Sequence, residues 1–307
     1  MALTLVEAAK LSQNPLQSGV IELYAQNSDV LQALPFNNIQ GNALRYNREE
    51  ALPGIGFRGI NEAYTESVGV INPVTEPLVI AGGDLDVDNF IIKTMGEGVR
   101  QAHEAMKVKA LAGRITKAFI KGDNATEPRE FDGLQVRLTG SQKISAGSTS
   151  GGSALSLAKL DEAIDAVDQP THLIMNRTMR RRLSAAARLT TVGGYITYSL
   201  DAFGRQVTRY NDLPILIVDQ DNAGAEILQF NEAASAGGAT ATSIYIVSLM
   251  DGKLTGIQNG GIEVEDLGQL QEQPAYRTRV EWHMGISLWH SKAAARLWSI
   301  GDLAVVA

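Results

Sequence analysis

Cysteine is absent from the chain. Disulfides, thiolate metal sites and cysteine nucleophiles are excluded together, which fits a reducing cytoplasm or indifference to redox. Histidine is scarce: four residues leave little from which to build a metal centre. His283 and His290 are an odd number of residues apart on an extended stretch and so face opposite ways. His103 and His172 have no ligand-type residue of their own kind at helical spacing. Long apolar runs are missing too. Stretches such as Pro214-Ile-Leu-Ile-Val218 are strand-length, far below the roughly 20 residues that a bilayer requires. Glu7 and Lys10 interrupt the first ten residues, so a secretory signal is not expected. Positive charge is in the minority, with 27 Lys and Arg against 34 Asp and Glu and a net charge of −7. A surface of that sign has no general pull toward nucleic acid or anionic lipid. No Walker A loop, G-x-S-x-G elbow or H-E-x-x-H helix occurs. The expectation is a soluble, cytoplasmically made protein with no catalytic, cofactor or metal residues.

What is present is a globular composition, 44% hydrophobic and 20% charged, in a chain of 307 residues. That length suits one large domain or two smaller ones. Leu3, Val6 and Leu11 mark a short amphipathic helix over 3–12, and a second is expected over Ser18–Leu34, stopped by Pro35. Two such helices cannot form a core and read as an arm. Residues 38–83 are punctuated by glycine. Ala43–Arg48 and Ser67–Ile71 flank a charged tip, Glu49–Gly59, and the whole reads as a long two-stranded excursion with few large apolar residues. An isolated ribbon is marginal in water, so this one is expected to rest on another part of the fold or on another subunit.

Asp88 is placed to cap a long helix over Asn89–Ile120, with a stripe of Ile92, Met95, Val99, Ala102, Met106, Leu111, Ile115 and Ala118. The Gly/Ser-rich stretch Gly140–Ser153 reads as an exposed loop. Residues 156–266 read as an α/β unit, with strands at Thr171–Met175, Pro214–Val218, Glu226–Phe230 and Ser243–Leu249, and with Asn176 capping a basic helix. From Tyr276 to Leu288 apolar and polar residues alternate, the pattern of a half-buried antiparallel strand. Ala293–Ile300 is its expected hairpin partner.

Three features carry a chemical reading that their context weakens. Gly54-Ile-Gly-Phe-Arg-Gly59 matches G-x-G-x-x-G, but that fingerprint works only between a buried strand and a helix. Here it reads as a loop tip. Arg177, Arg180, Arg181, Arg182 and Arg188 cluster without interleaved aromatics and read as a solvated face. Trp282, Trp289 and Trp298 read as core and sheet-face residues.

The order of these parts, with Phe119-Ile-Lys-Gly-Asp123, Phe131-Asp-Gly-Leu134, Leu173-Ile-Met-Asn176, Tyr210-Asn-Asp-Leu-Pro-Ile-Leu-Ile217 and the strand Arg277–Leu288, resembles the major capsid proteins of tailed bacteriophages. The resemblance implies the α+β Hong Kong 97-type fold: an N-terminal arm at 1–37, an extended loop at 38–83, a peripheral domain at 84–155 and 267–307, and an axial domain at 156–266. It implies a non-enzymatic subunit whose pentamers and hexamers close an icosahedral or prolate shell around double-stranded DNA. The implied setting is procapsid maturation in the host cytoplasm and residence in the virion. The implied partners are further copies, a portal protein, a separate scaffolding protein, a cement or decoration protein, and weakly contacted DNA, with no membrane. The separate scaffold is expected because the arm-like helix begins within a few residues of Met1. Arg45, Arg48, Glu49, Glu50, Arg58, Glu62 and Glu66 are the expected intersubunit contacts. Encapsulin shells share the implied fold, and an α/β enzyme or ligand-binding protein is the alternative from another class.

Overall fold

The structure, a computed structural model, describes residues 28–51, 53–95, 98–188, 196–200, 206–218, 220, 221 and 223–306, with the backbone alone at 49–51, 200 and 206. In chain order the elements are α1 (Asp29–Ala33), β1 (Phe36–Asn38), β2 (Ala43–Ala51), β3 (Val70–Pro77), β4 (Val79–Asp88), α2 (Asn89–Met95), α3 (Gly98–Lys121), α4 (Leu134–Arg137), β5 (Lys143–Ser145), α5 (Leu157–Asp165), β6 (His172–Met175) and α6 (Arg177–Ala186). The strands β7 (Ile196–Leu200), β8 (Gln206–Tyr210), β9 (Leu213–Ile217), β10 (Thr242–Val247), β11 (Leu254–Gln269), β12 (Ala275–Leu288) and β13 (Ala294–Ile300) complete it. The helix expected over 3–12 lies outside the described residues, as does most of the one over Ser18–Leu34. Its described end is α1, capped by Ser28, whose Oγ accepts from Leu31 N at 3.3 Å.

Three sheets form. One has four strands in the order β1-β11-β12-β4, one has seven in the order β5-β13-β10-β6-β9-β8-β7, and β2 and β3 make a separate ribbon. The central strands of the seven-stranded sheet, β13, β10 and β6, are buried on both faces, and the period of two decides which core each side chain enters. Ile174, Tyr245 and Val247 join the core that also holds the C-terminal half of α3 and the strands β11 and β12. Their neighbours Leu173, Met175, Ile244 and Ile246 join a second core under α5 and α6. Asn176 caps α6 as expected, accepting from Met179 N at 2.7 Å. The turn read at Asn211–Pro214 is a two-residue hairpin between β8 and β9, with Asn211 and Asp212 both at positive φ.

Four expectations are corrected. Ala293–Ile300 does not pair with β12. A 3-10 turn at Ser291–Ala293 redirects the chain, and β13 lies between β10 and β5. Its near-continuous apolar run suits a strand covered on both faces. In turn, β11 leaves the α/β unit and pairs along β12. Glu226–Phe230 is a turn rather than a strand. Leu228 O is satisfied there by Asn176 Nδ2 at 2.8 Å and Thr242 Oγ1 at 3.4 Å instead of by a ladder. Gly140–Ser153 is partly structured, because β5 adds in parallel to the edge strand β13.

The fourth correction concerns the long helix. Asp88 caps it as expected, accepting from Phe90 N at 2.7 Å, and α2 and α3 together cover most of Asn89–Lys121. The buried stripe, however, begins only at Val108 and runs through Leu111, Ala112, Ile115 and Phe119. Farther toward the N-terminus the inward face is polar. Arg100 donates to Thr278 Oγ1 at 2.7 Å and pairs with Asp266 at 2.7 Å and Glu104 at 3.2 Å. Met95, Ala102 and Met106 are exposed on the opposite side. Helical spacing places them about half a turn away from Glu104 and Leu111.

The two motifs after α3 have a steric cause. Gly122 N donates to Ala118 O, and Gly133 N donates to Gly122 O, both at 2.8 Å. A Cβ on Gly122 would lie 2.3 Å from Phe131 O, a backbone atom that cannot swing aside. Gly122→Ala is therefore expected to lower stability by about 3 kcal/mol. Urea denaturation measures this, and a loss under ~1 kcal/mol would refute the tight-turn reading.

His172, on β6, supplies a pH prediction. Burial, with the nearby Arg209 charge, pushes its imidazole down to about 4. The unfolded chain takes up that proton near pH 6.5, so stability is intact above that value and falls as pH drops toward 4. As much as about 3 kcal/mol of acid destabilisation comes from this one group. His172→Gln is expected to flatten the pH–stability curve over this window; an unchanged slope would contradict it.

Candidate assembly interface

The ribbon β2–β3 is registered from Ala43 opposite Pro77 to Ala51 opposite Val70. Its base is fixed to the body. Tyr46 Oη donates to Leu288 O at 3.0 Å, and its ring stacks on Trp289 at 4.5 Å. Burial, followed by the Glu76 charge, pushes the Tyr46 phenol up to about 12, so it remains a donor at neutral pH. Glu76, buried on β3, takes both terminal nitrogens of Arg137 on α4, with Nη2 to Oε2 at 2.7 Å. Arg137 is held in turn by Asp132 O at 2.6 Å. A bidentate, half-dry pair of this kind fixes an angle as well as a contact.

Beyond Ala51 the tip has no strand, and the described residues 53–68 are exposed throughout. It carries its own small frame. Ser67 Oγ donates to Gly54 O at 2.7 Å, Gly59 N to Glu62 Oε2 at 2.8 Å, and Arg58 to Glu62 O at 3.1 Å, with its guanidinium over Tyr64 at 5.2 Å. No helix follows Gly54–Gly59, as the loop-tip reading of that motif requires.

Of the seven expected contact residues, Arg45, Arg58, Glu62 and Glu66 are exposed and Arg48 is half-buried. The backbones of Glu49 and Glu50 lie in β2, and their side chains are outside the described residues. The charges lie along one ribbon, but they are not what distinguishes it. Ile55, Phe57, Ile60, Tyr64 and Val68 project from the tip with almost no cover, which corrects the expectation of a ribbon poor in large apolar groups. Phe90 and Met95 on α2 and Met106 on α3 are also exposed, as is Ile80 on the face of β4 turned away from α3. Apolar side chains flanking Gly-rich sequence were the available signal, and the charges around them concealed it.

An ionic ladder crosses β4 and β12. Arg279 Nε donates to Asp84 Oδ1 at 2.7 Å, and Arg277 Nε donates to Asp86 Oδ1 at 2.6 Å. Those hydrogen bonds hold both carboxyls below the usual range. Trp282 is buried, with Nε1 donating to Gln258 Oε1 at 3.0 Å, and Lys143 lies over Trp298, in keeping with the core and sheet-face reading. Among the described residues no cluster of His, Asp or Glu could hold a metal, and no helix is long and apolar enough to cross a membrane.

No family model and no curated protein matches the sequence. Solved structures do match. The holo-SrpI encapsulin complex from Synechococcus elongatus PCC 7942 aligns with a TM-score of 0.65 at 14% identity, over 100% of this chain and 99% of that one. A structure from Microbacterium phage Oxtober96 gives 0.63 at 14% identity over 90% and 91%. The capsid of a native GTA particle gives 0.60 at 14% identity over 89% and 90%. The chain therefore has the α+β Hong Kong 97-type fold found in phage capsids and encapsulins.

Proposed function

We propose that the chain is a shell protein whose copies close into a hollow particle, with no catalytic duty. The observation that carries this is the apolar tip, Ile55, Phe57, Ile60 and Val68, held away from its own core on a ribbon whose base is clamped. A monomer that exposes so much apolar surface on a projecting element is built to be covered by a neighbour. The matching surface on this reading is the exposed apolar face of α2 and α3, Phe90, Met95 and Met106, with Arg45, Arg48, Arg58, Glu62 and Glu66 as a charged rim around the tip. Tip and receiving face are different patches, so the contact is heterologous, and repeated heterologous contacts generate rings and shells. The parts map onto the arm, extended loop, peripheral domain and axial domain of that fold.

The finer reading is a viral capsid of pentamers and hexamers around double-stranded DNA, assembled in the host cytoplasm with separate scaffolding, portal and decoration proteins. A chain with net charge −7 suits a wall that releases its genome. The second reading is an encapsulin-like compartment; the SrpI encapsulin aligns end to end, as do structures from Mycobacterium phages Adephagia and Cain, so alignment length favours neither reading. Electron microscopy of the purified full chain tests the common part: closed particles are expected, and small oligomers at all concentrations would overturn it. Nuclease-protected DNA in particles from the native source would favour the virus, and a protein cargo the compartment.

The shell is expected to lack lysine-based cross-links through the ribbon. Residues 38–83 contain no lysine, and the guanidinium of Arg45, Arg48 or Arg58 stays protonated and is no nucleophile. Particles boiled in detergent should release single chains near 32.9 kDa; a ladder of covalent oligomers would contradict this.

A further inference from the structure

A cavity of about 420 Å³ lies where α1 and α6 meet the strands β6 to β9 of the seven-stranded sheet. That volume is in the range of small-molecule sites. Its charged lining is half-buried. Arg180, Arg209 and His172 line it together with Ser199 and, from α1, Asp29.

The three basic groups are held differently. Arg209 is fixed by Nε donating to Ser199 Oγ at 2.8 Å and Nη1 to Asp212 O at 3.3 Å, which leaves Nη2 for another acceptor. His172 Nδ1 donates to Thr171 Oγ1 at 2.9 Å, since that hydroxyl gives its own proton to Val247 O, so Nε2 becomes a donor only when the ring is protonated. Arg180 Nε is buried with no acceptor among the described residues. An uncompensated buried donor on a cation is costly, and an anion removes that cost. Asp29 does not supply this compensation to Arg180 Nε; its Oδ2 accepts from Ile217 N at 3.4 Å. With His172 neutral, two guanidiniums and one carboxylate leave the lining with a net positive charge.

The guanidinium donors come from two separate elements, α6 and β8, with the His172 ring of β6 beside them, and so approach from several directions. That geometry suits the three terminal oxygens of a phosphate monoester better than the two coplanar oxygens of a carboxylate. The rest of the wall, Val207, Pro214, Ile215 and Ile217 among it, is apolar and larger than a bare ion needs. We propose that this cavity binds a small organic phosphate monoester, with the phosphate on Arg180 and Arg209 and the organic part against the apolar wall of β8 and β9. His172 takes up a proton as the phosphate binds and donates from Nε2 to it, and because α1 forms one wall, occupancy ties the arm helix to the sheet. The proposal is independent of the shell reading.

Isothermal titration of the full-length chain with adenosine monophosphate, and with adenosine alone, tests it. Saturable binding of the monophosphate and none of adenosine is expected. Arg180→Gln is the primary variant, because among the described residues Arg180 makes no side-chain bond that the fold would lose. It should weaken binding at least about tenfold, the worth of one charged hydrogen bond. Arg180→Lys should recover part of that loss. In NMR spectra the His172 ring signals should move toward the imidazolium position on addition of the monophosphate. Absence of saturable binding, equal binding of adenosine, or a smaller loss in Arg180→Gln would overturn the proposal.

Discussion

Replacing Phe57 and Ile60 by serine is expected to abolish closed particles while leaving a folded chain. Both side chains are fully exposed at the ribbon tip, where no core contact depends on them. Surface changes of that kind usually alter stability by no more than about 0.5 kcal/mol. Buried against a neighbour, each would contribute about 1.5–3 kcal/mol. Every subunit offers one tip, so the loss recurs at each contact of the shell, and a closed particle multiplies it. The measurement pairs thermal unfolding of Phe57→Ser/Ile60→Ser with electron microscopy of the same sample. An unchanged unfolding midpoint and no particles is the expected pair of results; normal particles would sink the tip as an assembly element. Arg45→Ala and Glu66→Ala serve as rim controls. Exposed charge pairs are worth ~0.2–1 kcal/mol and are screened by salt, so these variants should still assemble, with a greater sensitivity to ionic strength.

The same ribbon marks where sequence reading succeeds and where it stops. Its existence was legible because glycines and a charged tip separate two extended stretches; the first lies in β2, while the second strand begins only at Val70 and runs on to Pro77, past the expected Ser67–Ile71. Its apolar tip was not, since periodicity detects apolar residues that recur on a face and Ile55, Phe57 and Ile60 recur on none. The long strand was legible in full. Thr278, Val280, Trp282, Met284, Ile286 and Leu288 are all buried, because period two leaves no ambiguity once one face is covered. The helix α3 was legible as a helix but misread in orientation near its N-terminal end. Met95, Ala102 and Met106 have helical spacing, yet Arg100 and Glu104 face inward because Thr278 and Asp266 offer them partners. A stripe intended for a neighbour looks, in sequence, like one intended for the core. The placement of β13 failed for another reason. Proximity in sequence favours a hairpin, and only the 3-10 turn at Ser291–Ala293 and the doubly covered face send the strand to the other sheet. The cavity residues Arg180, Arg209 and His172 are far apart in the chain, and only the fold assembles them.

Arg296→Met is expected to be the most destabilising single change in the interior, at about 3–5 kcal/mol. Arg296 sits on β13 and is almost wholly buried. Its Nη2 donates to Glu232 Oε2 at 2.8 Å, and its Nε donates to Ser243 Oγ at 3.0 Å. Ser243, on β10, in turn donates to the same carboxylate oxygen of Glu232. The other oxygen, Oε1, has no hydrogen bond among the described residues but lies 3.8 Å from Lys121 Nζ, at the end of α3. Burial holds the Lys121 ammonium below its usual range, so Lys121 is a weak substitute for a missing guanidinium. One carboxylate therefore joins β10, β13 and α3 across the seam between the sheet and the long helix. Methionine fills much of the arginine volume but strands Glu232 as an unpaired buried charge, and that is the source of the loss. The double variant Arg296→Met/Glu232→Leu removes both charges and is expected to regain most of the stability, since well-packed apolar replacements of buried pairs are often neutral. Urea denaturation of unassembled chain at neutral pH measures all three proteins. A single-variant loss under ~1 kcal/mol, or a double variant no more stable than Arg296→Met alone, would show that the pair does not carry the energy assigned to it.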